Sequence, residues 1–382
     1  MSNNKNVINR HKKTINERLK ITIIGCGACG NGITAEIEEK VSELSGDKSN
    51  TAFIGINTSM EDLASVKLSH KIHINNSKGA ACNRESSIQD LAESIDIILP
   101  ELMGYIIDDS IVFIATSLGG GTGSAVAPML AEILLDEGYT VGMVAVLPAD
   151  NESLKIKDNA RQAFYEIEEL KPRMGSIFIL DNNSTDKISV NKIFASLFAG
   201  VMCINNRSQD GNMDLAEIEA CLKIPSFSVI AKICKEKGTT ANIVETFNRE
   251  NNIFAKREDK TISVMGISEA VSAKDSKIDM TELRKAIGTA PTEFHGYLAE
   301  SEENVIILSG LVMPYTRVEA MTESIQKEVD IIKNSRVAVT EVRTAKMLDV
   351  FSTPVVQTTV QDIDKPKGLS ALEKLKAKRI SK

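Results

Sequence analysis

The chain has no tryptophan and only 4% aromatic residues, which argues against nucleic-acid binding through stacked aromatic platforms. It also lacks any long apolar run. Residues 111–115 and 141–148 are the longest, far short of the roughly 20 residues that span a bilayer. Residues 1–20 are polar and basic with no apolar stretch, so no secretory signal is expected there. Six cysteines are scattered without a framework pattern, which points to reduced thiols and a cytoplasmic location. The four histidines do not cluster with them, and a structural zinc needs four ligands. The pair Cys26 and Cys29 therefore reads as small thiols filling a glycine-rich loop, and His70 and His73, beside Lys67 and Lys71, as a solvated segment.

What is present is an ordinary globular balance, 42% hydrophobic and 25% charged over 382 residues, enough for two to three domains at about 150 residues each. The net charge of -7 is unevenly spread. Residues 1–20 carry six Lys/Arg against Glu17, and residues 365–382 carry seven against Glu373, which leaves an acidic body between two basic ends. Such ends suit docking to an acidic surface or simple solubilisation.

Residues 21–24 are a β-branched apolar run followed by glycines and a helical pattern from about Asn31 to Leu44. Strand patterns at 51–57, 110–116, 140–148 and 176–181 alternate with helical patterns at 86–102, 124–136 and 155–170. Alternation with continuously apolar strands predicts a parallel sheet covered on both faces, with ligands at the carboxyl ends of its strands. Residues 190–206 carry apolar residues at spacings of three and four, a long helix with a wide buried face. Beyond it, strands at 226–234, 261–268 and 304–313 and helices at 240–249 and 318–333 form a smaller mixed α/β region. Residues 354–367 read as a linker, and 369–379 as a basic helix with apolar Leu369, Leu372 and Leu375.

Gly25-Cys26-Gly27-Ala28-Cys29-Gly30 is a G-x-G-x-x-G between strand and helix, where backbone amides can approach a phosphate. Alone it suits an NAD-dependent dehydrogenase, but the second strand ends in Asn57-Thr58 with no carboxylate before Glu61. Gly119-Gly120-Gly121-Thr122-Gly123-Ser124 joins the strand at 110–116 to a helix. Consecutive glycines expose successive amides in a nest suited to a polyphosphate, and Thr122 and Ser124 add hydroxyls. No G-x-x-x-x-G-K-[ST] occurs.

With these two loops, the chain resembles the tubulin/FtsZ superfamily of GTP-dependent filament proteins from about residue 20 to 320. The resemblance implies an N-terminal Rossmann-like parallel-sheet GTPase domain (21–189), a long central helix (190–207), then an activation loop and a smaller C-terminal α/β domain (208–350). A basic arm (1–20) and a linker with a basic tail (351–382) would flank them.

It also implies roles. Gly27, Ala28, Cys29, Gly30 and Asn31 would meet the phosphates and base, as would Gly119, Gly120, Gly121, Thr122, Gly123 and Ser124 the phosphates. Asn57 and Thr58 would form a second loop, and Gly79, Ala80 and Asn83 would belong to the loop sensing the γ-phosphate. Glu152 would hold the ribose, and Asn182 or Asn183, with Asn191, would read the guanine edge. An asparagine amide offers the donor and acceptor that edge requires.

Asp214 and Glu217, three apart at a helix start, are ordinary first-turn acids. They also match the superfamily's N-x-D-x-x-E/D loop, with Asn212 in front. There they would act on the water attacking a neighbouring subunit's GTP, with Mg²⁺ accompanying the nucleotide. Head-to-tail homopolymers are the implied assembly. The basic tail, in place of the apolar-acidic terminal peptide of cell-division members, is similar to the plasmid- and phage-borne branch that segregates DNA through a DNA-bound adaptor. A divergent cell-division filament GTPase is the alternative. No membrane contact is expected.

Overall fold

The structure, a computed structural model, describes residues 19–346 except 46–47, 75–78, 205–210, 212 and 249–251. The basic arm up to residue 18, Asn212, and the linker and tail from residue 347 lie outside the described residues. Strand β1 (Ile21–Cys26) runs straight into helix α1 (Gly27–Ser45), followed by β2 (Thr51–Asn57), α2 (Met60–Ser65), β3 (His70–His73) and α3 (Arg84–Tyr105). Then come β4 (Ile111–Ser117), α4 (Thr122–Asp136), β5 (Thr140–Leu147), α5 (Leu154–Leu170), β6 (Ser176–Asp181) and α6 (Lys187–Met202). The remainder is α7 (Leu215–Lys223), β7 (Ser226–Cys234), α8 (Thr240–Asn248), β8 (Val264–Glu269), α9 (Met280–Ile287), β9 (Thr292–Tyr297), β10 (Glu303–Leu311) and α10 (Tyr315–Lys346).

Among the described residues ten strands form one sheet, in the order β3-β2-β1-β4-β5-β6-β7-β10-β8-β9. From β3 to β7 every pairing is parallel, and β10 runs antiparallel to both its neighbours. All of β1 and β6 and nearly all of β4 and β5 are buried. Strands buried on both faces need helices on both sides. Accordingly α1 packs beside α6, while α3, α4, α5 and α10 pack in succession as a second row.

Helix α6 descends along β6 from its carboxyl end. Phe194 meets Phe178 of β6 at 5.6 Å, and Phe198, one turn on, meets Phe113 at 5.0 Å, near the amino end of β4. These rings form the core beneath α6. Strands β6 and β7 share only two register positions, Ser176 with Ser226 and Ile177 with Phe227. Above them residues 253–255 take the β6 edge, with the Asp181 amide donating to Ile253 O and the Ala255 amide to Ile179 O. That wedge turns β7 away.

Several boundaries differ from expectation. Helix α1 starts at Gly27 rather than near Asn31, because Gly27 adopts φ +72° and turns the strand directly into the helix. Residues 70–73 are not a solvated segment but edge strand β3. His70 stacks on Tyr105 at 4.1 Å, and His73 Nε2 lies 3.1 Å from Thr58 O. Only Ile72 of the four is buried, too little for an apolar pattern to register. Elements α9 and β9 were not anticipated; β9 is mostly half-exposed.

Phe198→Ala should cost roughly 3–5 kcal/mol through the void left between α6 and the sheet, measured as a lower denaturation midpoint in urea.

Candidate functional site

Parallel strands place the β1–α1 and β4–α4 turns side by side at one edge of the sheet. A pocket of about 280 Å³ opens between them, lined by Gly27, Ala28, Cys29, Asn57, Ala80, Gly120, Gly121, Thr122 and Gly123 of the expected set. Cys26, Asp62, Ala81 and Ser117 complete the lining. Both α1 and α4 begin at this pocket. The residue before α4, Gly121, supplies no side-chain cap, whereas Ser59, Asn83, Asp186, Asp214 and Asp279 cap α2, α3, α6, α7 and α9. Uncapped first-turn amides and the helix dipole together favour an anion. Among the described residues no Lys or Arg lines the pocket, and there the backbone amides supply its positive potential.

Gly121 is a point of close approach. A Cβ there would lie 2.6 Å from Ala80 Cβ and 2.9 Å from Asn83 N, so the 79–83 loop rests directly on the glycine-rich turn. That loop holds Gly79 at φ +107° and the non-glycine residues Ala81 and Cys82 at +44° and +59°, conformations costing roughly 1–2 kcal/mol each. Thr58 and Thr122 hydroxyls bond at 2.6 Å, joining the second loop to the phosphate loop.

Other expected residues also use their side chains within the fold. The Asn31 amide is exchanged with Ile56, accepting from Ile56 N at 3.2 Å and donating to Ile56 O at 3.3 Å, which staples α1 to β2. Ser124 donates to Gly120 O, and Asn83 accepts from Glu85 N and Ser86 N as the cap of α3. Gly30 packs on the Ala115 carbonyl, and Gly119 abuts Ile156.

Of the remaining expected residues, Asn191 and Glu152 act on Cys29. Its thiol hydrogen-bonds Asn191. Burial is the main cause that raises it to about 11, Glu152's charge raises it further, and Asn191 and Lys187 pull the other way. Glu152 also pairs with Lys187 at 2.6 Å. A thiol held there stays protonated near neutrality and acts as a small filler. Asn183 accepts from the Asp150 amide at 2.9 Å, while Asn182 Oδ1 is buried without a partner among the described residues. An orphaned buried acceptor invites a donor from outside the chain.

Asp214 and Glu217 are remote from this pocket. They form a reciprocal capping box, Glu217 N donating to Asp214 Oδ1 at 2.9 Å and Asp214 N to Glu217 Oε2 at 2.8 Å. One oxygen of each carboxylate is used; the box holds both groups at the start of α7.

Sequence reasoning missed Asn159 and Arg84. Asn159 is fully buried, and its amide donates to Cys82 O at 2.9 Å, Gly119 O at 3.2 Å and Gly120 O at 3.4 Å, tying the 79–83 loop to the glycine turn. Arg84 bonds Asn159 O at 3.1 Å and pairs with Glu166 at 2.5 Å. Lys157, Asn159, Ala160, Ala163, Phe164 and Ile167 form the buried face of α5. Polar residues inside that helical stripe were the available signal.

Gly121→Val should lower nucleotide affinity about tenfold or more, because the added side chain displaces the 79–83 loop. Gly104→Ala, on the exposed side of α3 away from the pocket, meets nothing within 4 Å and should bind as the parent chain does. Fluorescent-nucleotide titration of both variants, with circular dichroism as the folding control, checks this.

Residues 20–190 match the Tubulin/FtsZ family, GTPase domain. The tubulin-like protein TubZ of Clostridium botulinum C phage is 27% identical over 280 residues, covering 72% of this chain and 76% of that protein. The crystal structure of Clostridium botulinum phage c-st TubZ superposes with a TM-score of 0.68 at 26% identity, covering 82% of this chain and 99% of the other. A GTPγS-form protofilament of Bacillus thuringiensis serovar israelensis TubZ gives a TM-score of 0.69 at 17% identity, over 85% of this chain and 96% of that one, a likeness of fold alone. The dehydrogenase reading of the first glycine loop finds no support. Residues 20–190 of this chain are a tubulin/FtsZ-family GTPase domain.

Proposed function

We propose that this chain is a GTP-hydrolysing filament protein whose catalytic centre is completed by a neighbouring copy, and that its filaments segregate plasmid or phage DNA through a DNA-bound adaptor. The observation that supports the reading is the separation of the glycine-lined pocket from Asp214 and Glu217. The phosphate cradle lies at the carboxyl edge of the sheet, where α6 begins. Helix α6 has 16 residues and carries the chain about 24 Å toward the opposite edge. Helix α7 then packs against the amino ends of β5 and β6, with Ser176 Oγ donating to Cys221 O at 3.0 Å. Carboxylates at the start of α7 cannot reach their own chain's phosphates, but they suit a copy stacked head to tail.

In this reading the amides of α1 and α4 hold the phosphates, Glu152 meets the ribose, and Asn182 Oδ1 and Asn191 read the guanine edge. Asp214 and Glu217 orient and deprotonate the attacking water, since phosphoryl transfer needs positioning more than covalent help. Among the described residues no cluster of three or more His, Cys, Asp or Glu could hold a metal. Mg²⁺ binds through one or two carboxylates plus substrate phosphates, and Asp62 is a carboxylate that lines the pocket. When bound, the ion neutralises phosphate charge. A heterologous interface that does not close produces filaments. Helix α6 then divides a GTP-binding domain, 21–189, from a C-terminal domain, 208–350. Among the described residues no helix is long and apolar enough to cross a membrane, and we place the filament in the cytoplasm.

Asp214→Ala should bind GTP normally and lose at least about a hundredfold in turnover. Mixing it with Gly121→Val should restore turnover, because one variant keeps the nucleotide and the other the carboxylate. Parental turnover by Asp214→Ala alone overturns the shared centre. Deleting residues 369–382 should abolish co-sedimentation with the adaptor–DNA complex and leave GTP hydrolysis intact; unchanged co-sedimentation rejects the tail's role.

A further inference from the structure

Helix α10 enters the nucleotide region through Arg317, in its first turn. The Arg317 side chain is 13% exposed and reaches two loops at once. Its Nε donates to Asp181 Oδ2 at 2.7 Å, its Nη2 to Pro148 O at 2.8 Å, and its Nη1 lies 3.1 Å from Asp150 Oδ1. The two loops are also joined to each other. Asn183 N donates to Asp181 Oδ1 at 3.0 Å, and Asn183 Oδ1 accepts from Asp150 N at 2.9 Å. The circuit Arg317–Asp150–Asn183–Asp181 therefore closes on itself. One loop carries Glu152; the other carries Asn182 and Asn183. A second buried cation reinforces the docking of α10. Lys157, 1% exposed, pairs with Glu328 and donates to Ser324 Oγ at 3.0 Å and to Asp150 O at 3.4 Å.

We infer that Arg317 is a positioning residue for the nucleoside, setting from α10 the spacing between the ribose loop and the base loop, so that seating of α10 governs nucleotide retention. The inference rests on reading these loops as nucleotide loops. A guanidinium suits the task because its planar fork presents several donors in fixed directions, which an ammonium does not. Without it, the buried Asp181 loses its cation and Pro148 O its donor, and of the circuit between the two loops only the Asn183 link remains. The amides of α1 and α4 are untouched by that change, so the loss falls on the sugar and base end of the ligand.

The experiment uses the full chain with three probes: fluorescent GTP release by stopped flow, GTP affinity by competition, and inorganic tripolyphosphate affinity by the same competition. Arg317→Ala should release GTP about tenfold faster and weaken GTP affinity correspondingly, while tripolyphosphate, lacking sugar and base, binds unchanged. Arg317→Lys keeps the charge without the fork and should fall between the two. Equal release by parent and both variants overturns the inference, and so does an equal loss of GTP and tripolyphosphate affinity, which marks a general structural defect. If Arg317→Ala fails to fold, Arg317→Lys decides by the same criteria. Absence of GTP binding by the parent chain overturns the functional reading instead, which separates the two failures.

Discussion

The backbone amides at the first turns of α1 and α4 are the feature around which the rest is arranged. In a parallel sheet every strand ends at the same edge, so every following helix starts there and its positive end faces the same space. Two such helices on neighbouring strands give a pocket with no cationic side chain in its lining among the described residues. The glycine turn must stay bare for this to work. The supporting polar groups therefore come from farther away: Asn159 from α5, Arg84 from α3 and Thr58 from the turn after β2.

The central helix imposes the second constraint. Its phenylalanine-rich face follows the sheet from one edge to the other. Sequence elements adjacent along the chain, Asn191 and Asp214, are thereby sent to opposite ends of the domain. An assembly that stacks those ends brings them back together across a subunit boundary, and chemistry and polymer contact then occupy the same surface.

Much of this was legible in the amino-acid order. The continuously apolar strands and the two glycine loops gave both the parallel sheet and the pocket, because backbone chemistry leaves a composition signature. What remained hidden was side-chain allocation. Asn31 and Ser124 sit in the right motifs, yet their polar atoms are consumed by Ile56 and Gly120. Asn159 and Arg317 lie on helices with no motif at all, and their partners are dozens to well over a hundred residues away. Strand β3 was invisible because one buried residue in four carries no period. Interactions that depend on tertiary meeting points leave no local pattern, even where their effect is largest.

The narrow junction between β6 and β7 has a mechanical consequence. Two shared rungs make that waist a narrow line across the sheet, while the flanking halves are joined by long ladders. A torque applied to one half concentrates as rotation at the waist, and α6, which lies along it, acts as the lever arm. Load on the far half of the molecule is thus delivered to the residues that start α6, the same ones that surround Cys29.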